Sequence, residues 1–284
     1  MKILMFGKTG QVATEILRRA EGVEALGRDQ ADLTDPEACR AAVAATDADV
    51  ILNAAAYTAV DNAEDDEATA QKVNAEAPTA MAEAASARGL PFLHISTDYV
   101  FDGAGSEPWA EDAPTAPLGA YGRTKLAGER GVTAAAGPHV ILRTAWVHAA
   151  HGGNFLRTML RLADRERLTI VADQHGGPTA AGDIAEALLT IARAFHAGNG
   201  ASGIYHFCGA PAVSWHGFAT EIFAMSKGPS PDCVAIPSSD YPTKAARPGN
   251  SVLDCGKIAR DYGIAQPDWR VSLREILTEL EGAR

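Results

Sequence analysis

The sequence predicts an α/β protein built on a doubly wound parallel sheet, with a smaller C-terminal region. Short apolar, often β-branched runs recur through the first half, longer Ala-rich stretches separate them, and a glycine-rich turn joins the first run to the first helix. That alternation is the mark of βαβ units with helices on both faces of one sheet. Strands are predicted at 2–6, 23–26, 50–53, 92–96 and 140–143, and helices at 11–21, 36–45, 67–88 and 121–135. Pro36 suits a first helical turn, where its missing N–H costs nothing. After Val147 the rhythm changes to a helix near 154–167, a strand at 168–172, a helix at 183–196 and a strand at 204–208. The Pro- and Gly-rich stretch 227–250 predicts irregular loops rather than a further regular layer. A closing helix at 269–281 carries Val271, Leu273, Ile276, Leu277 and Leu280 at near-helical spacing. The chain thus divides into a first domain at 1–150 and a region at 151–284, some of whose elements, about 168–200, are expected to return to the first sheet.

With 284 residues, 46% hydrophobic and 21% charged, the chain can bury a real core, so disordered and disulfide-scaffold classes are excluded. The net charge of -11 has no segregated basic patch to offset it and argues against a nucleic-acid partner. No apolar run approaches the roughly 20 residues of a membrane span, and the short N-terminal run reads as a strand, not a leader. A cytoplasmic protein is expected. Cys39, Cys208, Cys233 and Cys255 show no C-x-x-C pair, so reduced thiols are expected.

Gly7-Lys8-Thr9-Gly10-Gln11-Val12-Ala13 follows the first strand and opens the first helix. In that setting Gly7 permits the tight turn, Gly10 admits a pyrophosphate, Ala13 allows close packing, and the helix N-terminus offers free N–H groups. A phosphate-binding P-loop is ruled out because Lys8 precedes the second glycine. The motif predicts a dinucleotide-binding, Rossmann-type domain over 1–150. Arg28 stands where an NAD-selective protein places an acidic group, which leans towards NADPH over NADH, although Asp29 and Asp32 adjoin it.

Tyr121 and Lys125 lie four residues apart, hence on one helical face. A phenol with a pKa of about 10 exchanges protons near neutrality more readily beside a cation that stabilises the phenolate. The preceding strand ends in His94-Ile95-Ser96-Thr97-Asp98-Tyr99-Val100-Phe101, delivering two hydroxyls and a carboxylate to the same crevice. On chemistry alone Ser96 and Thr97 compete to hold a reacting oxygen.

The glycine loop, Asn53-Ala54-Ala55-Ala56, the 96–101 segment, Tyr121 to Lys125 and Arg143-Thr144-Ala145-Trp146-Val147 recur in the order and spacing of the extended short-chain dehydrogenase/reductases. More narrowly the chain resembles the dTDP-4-dehydrorhamnose reductase family, including at 173–179 and at Ala246-Arg247-Pro248-Gly249-Asn250-Ser251. The resemblance implies NAD(P)H-dependent reduction of the C4 ketone of dTDP-4-dehydro-β-L-rhamnose to dTDP-L-rhamnose. It implies that Tyr121 donates the proton, Lys125 holds the nicotinamide ribose and tunes the tyrosine, and Thr97 rather than Ser96 bonds the carbonyl. Asp98 and Trp146 would contact the sugar. Gly7, Gly10, Gln11 and Val12 would bind the cofactor, the last three at its pyrophosphate, while Asp32 and Leu33 would meet the adenosine half and Ala54, Ala55 and Ala56 the cofactor backbone. Arg247 is a candidate for the substrate diphosphate, with a surface salt bridge an equal reading.

His148 and His151 read as solvent-facing loop residues, and no structural metal is assigned. Some members of the resembled family share a magnesium ion between subunits. Here Glu15 matches one position, read otherwise as a solvated helix face, and Gly182 or Asp183 the other, which leaves magnesium open along with a homodimer. Another nucleotide-sugar 4-keto reductase or epimerase and a non-catalytic cofactor-binding subunit are the rival functions. The intact Thr97, Tyr121 and Lys125 set argues against the second rival.

Overall fold

The computed structural model describes residues 1–282. Its centre is a six-stranded, wholly parallel sheet of β1 (Ile3–Phe6), β2 (Val23–Leu26), β3 (Val50–Asn53), β4 (Phe92–Thr97), β5 (His139–Thr144) and β6 (Gly203–His206), in the order β6-β5-β4-β3-β1-β2. The chain steps outward from β1 to β2 and then back past β1 to β3. Helices on either side of that reversal leave a crevice at the strands' carboxyl ends.

Period-two alternation assigns the two faces of the sheet. Leu4, Phe6, Ile51, Phe92 and Ile141 pack under α2 (Pro36–Ala45), α5 (Ala77–Ala87) and α6 (Ala120–Ala134). Ile3, Met5, Leu52, Leu93 and Leu142 pack under α1 (Gln11–Arg19), α8 (Ala181–His196) and α10 (Gly256–Tyr262). Strands covered on both sides need continuous apolar runs, which is why they stood out in the sequence. Asp35 caps α2 by accepting from the Ala38 N–H at 3.1 Å, and Pro36 occupies its first turn. The predicted helix 67–88 is three pieces, with α3 (Val60–Ala63) preceding them: α4 (Glu67–Gln71), a π turn at Lys72–Glu76, and α5. Pro78 cannot donate to the Asn74 carbonyl, and the chain widens where that bond is missing.

A second core gathers Leu156, Phe218, Ile222, Trp269 and Leu273 from α7 (Phe155–Arg161), α9 (Trp215–Met225) and α11 (Trp269–Gly282). The structure departs from the sequence expectations here. The stretch 227–250 is not all loop, because Asp232–Ile236 forms a parallel strand with Arg167–Val171, in register from Asp232↔Arg167 to Ile236↔Val171. The strand expected at 168–172 therefore pairs outside the main sheet. Within 168–200 it is α8 that returns, covering β3 and α1. The helix near 154–167 stops at Arg161, since the chain must turn before that strand begins. Among the described residues no helix is long and apolar enough to cross a membrane.

Candidate active site

One cleft of about 1190 Å³ runs along the carboxyl ends of β1 to β5. The residues that build its nucleotide end are short. Gly7 has φ +105°, and a Cβ there would press on the Ala54 backbone at 3.2 Å; a Cβ on Gly10 would meet the Ala54 carbonyl at 3.8 Å. The missing side chains leave a cradle between β1 and β3. α1 begins at Gln11 behind Gly10, a cap residue with no side chain to accept, so its first N–H groups at Gln11 and Val12 face the cleft unpaired by the cap residue. Those features fit a pyrophosphate. The Gln11 side chain is turned aside, accepting from Asn154 Nδ2 at 2.8 Å, and its backbone N–H lies at the cleft. Leu33, Ala54, Ala55 and Ala56 also line the cleft. So do Arg28 and Asp32, joined by Arg28 Nε to Asp32 Oδ2 at 3.0 Å. Asp32 is held below the usual carboxylate range, first by the Thr34 backbone N–H and then by Arg28. The Arg28 side chain is 78% exposed and can turn to a ligand.

At the other end, Thr97, Asp98, Tyr121, Lys125, Thr144 and Trp146 converge. β4 and α6 are matched in a way that explains the placement. His94 and Ser96 are two apart on the strand and share a face; Lys125 and Glu129 are four apart on the helix and share a face. The pairs interlock, with His94 Nε2 3.2 Å from Lys125 Nζ and Ser96 Oγ donating to Glu129 Oε1 at 2.5 Å. Glu129 also takes a bidentate grip from Arg143 of β5, at 2.9 Å from Nε and 2.7 Å from Nη2, both side chains being 2% exposed. Ser96 is thereby committed to holding the helix, which removes it from the competition for a reacting oxygen.

Thr97 accepts from the Tyr99 N–H at 3.2 Å and donates to Asp98 Oδ1 at 3.0 Å. Asp98 Oδ2 and the Thr144 hydroxyl are buried without a partner. Burial pushes Asp98 up to about 6, against the pull of the Ser251 and Thr97 hydroxyls. Burial pushes the Tyr121 phenol up to about 12, with Thr97 opposing the rise. Burial also lowers Lys125 to about 8, with Glu129 opposing the fall, and Nζ donates to the Ile95 carbonyl at 2.7 Å. A neutral phenol, a hydroxyl and a lysine close to its titration point thus line one wall. Such a wall can deliver a proton to an oxygen that is gaining charge.

Trp146 adopts φ +50°, which is uncommon for a residue with a Cβ, and its carbonyl is fixed by the Thr179 N–H at 3.2 Å. Its indole stacks on Trp215 with ring centroids 3.5 Å apart, so one face is already covered, and Gly176 packs against its edge. Trp215 escaped the sequence reading, as did the roles of His94 and Glu129. The alternation of polar residues 94 and 96 with apolar 93 and 95, set against a 125/129 spacing on the next helix, is the signal that could have found the last two.

Other expectations are corrected. Arg247 lies outside the cleft lining and pairs with Asp61 at 2.7 Å, because the loop carrying it is fastened to α3 by the same carboxylate. His148 is buried, its Nδ1 3.3 Å from the Trp146 carbonyl, since the strand Val147–His148 pairs with Thr179–Ala180. Glu15 is not a solvated side chain; Arg18, Arg19 and His151 surround its carboxylate, with His151 Nε2 at 2.6 Å. Asp183 accepts from Ser272 at 2.6 Å. A carboxylate already neutralised by two guanidinium groups does not fit a magnesium ion.

The profile of the RmlD substrate binding domain matches residues 1–281. A dTDP-4-dehydrorhamnose reductase from Burkholderia thailandensis is 47% identical, over 98% of this chain and 100% of its own. The chain belongs to the dTDP-4-dehydrorhamnose reductase family. A family member from Bacillus anthracis, solved in complex with NADP, superposes with a TM-score of 0.91 at 29% identity, covering 98% of this chain and 100% of that one. A probable dTDP-4,6-dihydroxy-2-methyloxan-3-one 4-ketoreductase from Streptomyces antibioticus is 41% identical over 100% of this chain and 97% of its own.

Proposed function

We propose that the protein is an NAD(P)H-dependent reductase that converts dTDP-4-dehydro-β-L-rhamnose to dTDP-L-rhamnose. The observation that carries this reading is the junction, in one cleft, of the Gly7/Gly10 cradle with the Thr97, Tyr121 and Lys125 wall. The bound dinucleotide would supply the hydride to C4 of the sugar. This chain's residues do the rest. Tyr121 gives its proton to the C4 oxygen, Thr97 holds that oxygen once its hydroxyl turns from Asp98, and Lys125 stabilises the phenolate left behind. Asp98 Oδ2, buried and unpaired, is available to accept from a sugar hydroxyl. Residues 1–150 carry the cofactor, and the region after 150, with Trp146 at its threshold, forms the sugar side. NADPH is favoured on the exposed Arg28 and on the NADP bound by the Bacillus anthracis relative. A cytoplasmic location goes with use of reduced pyridine nucleotide.

The Streptomyces antibioticus relative favours a second reading, reduction of a different dTDP-linked 4-keto sugar. The two are separated by following nicotinamide absorbance with each ketone in turn, using NADPH and NADH. Turnover of dTDP-4-dehydro-β-L-rhamnose at the higher kcat/KM supports the first reading, and preference for another 4-keto sugar supports the second.

A further inference from the structure

Behind the cleft wall lies a buried polar chain that the proton transfer above does not use directly. Asn53 ends β3, His94 sits in β4 and is fully buried, and Lys125 reaches them from α6. Asn53 Oδ1 accepts from the Ala55 N–H at 3.1 Å, which orients the amide so that Nδ2 faces His94 Nδ1 at 3.2 Å. An amide nitrogen only donates, so Nδ1 of the ring must accept. The single proton of the neutral imidazole therefore sits on Nε2, aimed at Lys125 Nζ 3.2 Å away. An N–H aimed at an ammonium sets donor against donor; aimed at an amine it finds a lone pair. The other groups facing Nζ are the Ile95 carbonyl of β4, which accepts from it, and Glu129 and Tyr121 one turn away on α6.

We propose that His94, oriented by Asn53, is a positioning residue for Lys125 that fixes its nitrogen at the cleft wall and opposes its protonation. The inference rests on the reductase reading for its purpose but not for its geometry. A lysine kept close to its titration point takes up and passes on a proton within each turnover, where a fixed ammonium would only attract charge. Burial and His94 then act together against Glu129, consistent with the lowered value at Lys125 and with a His94 held well below the ordinary imidazole range by burial and by Lys125.

Two substitutions reverse the polarity of the chain. In His94→Gln the amide oxygen can turn to Nζ and accept from an ammonium. In Asn53→Asp the carboxylate accepts a hydrogen bond from Nδ1–H, so the ring's single proton moves to Nδ1 and Nε2 becomes an acceptor, with almost no change of shape. The protonation of Lys125 is read directly, without ligand, by NMR titration of ¹³C-labelled lysine, with Lys125→Met assigning the resonance. The expected result is titration near pH 8 in the parent and roughly one pH unit higher, a tenfold gain in proton affinity, in each folded variant. Titration at the same pH in the parent and in both variants would show that His94 merely fills space and would overturn the proposal. The alkaline limb of ketone reduction should follow the same shift. A shifted resonance in a protein that reduces none of the ketones leaves His94 in place and removes the substrate reading instead.

Discussion

Replacing Asp98 by Asn should make the protein more stable and a worse enzyme. Asp98 is 3% exposed, and burial raises its carboxyl from an ordinary 3.8 to about 6. Below both values each state holds the proton and nothing is lost. Between them the unfolded chain releases its proton while the folded one keeps it, so stability falls as pH rises. Above about 6 the full penalty is present, on the order of 3 kcal/mol from the two-unit difference. Asn carries no charge and avoids it, but its N–H₂ takes the place of the unpartnered Oδ2 and costs about 1 kcal/mol in return. The net gain, about 2 kcal/mol at pH 8, corresponds to a melting temperature higher by roughly 4–8 °C. Melting the parent and Asp98→Asn from about pH 4 to 8 tests this, because contributions from all other groups cancel in the difference. The advantage should be absent at the acid end, grow through the interval between the two pKa values and then level off. The variant should at the same time raise KM for the ketone if Asp98 binds the sugar as proposed, since an amide nitrogen cannot accept from a sugar hydroxyl where Oδ2 could. A constant difference across the pH range, or a variant less stable at pH 8, would refute the account of Asp98 as a carboxylate kept strained for its ligand.

Tyr121→Phe should retain fold and NADPH binding while kcat falls by about 10² or more, the scale of a lost general acid; turnover near the parent's would remove Tyr121 from the mechanism. Glu129→Gln breaks the buried bidentate pair with Arg143 and should cost about 3–5 kcal/mol in urea melts. Replacing both partners with apolar residues of similar size should recover much of that loss, and failure to recover it would show that the pair itself contributes the stability. Trp146→Ala should raise KM for the ketone at least tenfold, about 1.4 kcal/mol of lost contact, and destabilise through loss of the Trp215 stack. Trp146→Gly should melt no lower than Trp146→Ala, because glycine relieves the positive φ that alanine keeps. A glycine variant clearly below alanine would mean that φ +50° is not strained.

What could be read from the chain beforehand follows the range of the forces involved. β1, β3, β4 and β5 announce themselves because a strand covered on both faces must be apolar throughout, and the Gly7 turn because only a missing side chain lets β1 and β3 close on a ligand. Tyr121 and Lys125 were visible because one helical turn relates them. The rest of the site depends on partners that no local pattern names. Arg247 could be placed in a loop, but its carboxylate partner is 186 residues away at Asp61. The strand Asp232–Ile236 was hidden among prolines because its pairing lies with 167–171, not with anything nearby. Trp146 was expected to contact the sugar, but no local pattern named Trp215, 69 residues on, as the ring that stacks on one of its faces.

The glycines of α6 show how such a long-range requirement still marks the sequence. Gly122 and Gly128 sit inside a helix, where each costs up to about 1 kcal/mol relative to alanine. A Cβ at Gly122 would strike the Tyr99 carbonyl, and one at Gly128 the Asn74 carbonyl. That second carbonyl is the one Pro78 leaves without its helical partner. The helix therefore accepts weak propensity in order to lie against the end of β4 and the π turn at backbone distance. Only at that distance can Lys125 reach His94 and the Ile95 carbonyl, and Glu129 reach Ser96 and Arg143. Glycine inside a strongly amphipathic helix would be a defect. In this one, with its fixed tyrosine and lysine, it is the condition for bringing a phenol, a hydroxyl and a lysine close to its titration point to one wall of the cleft.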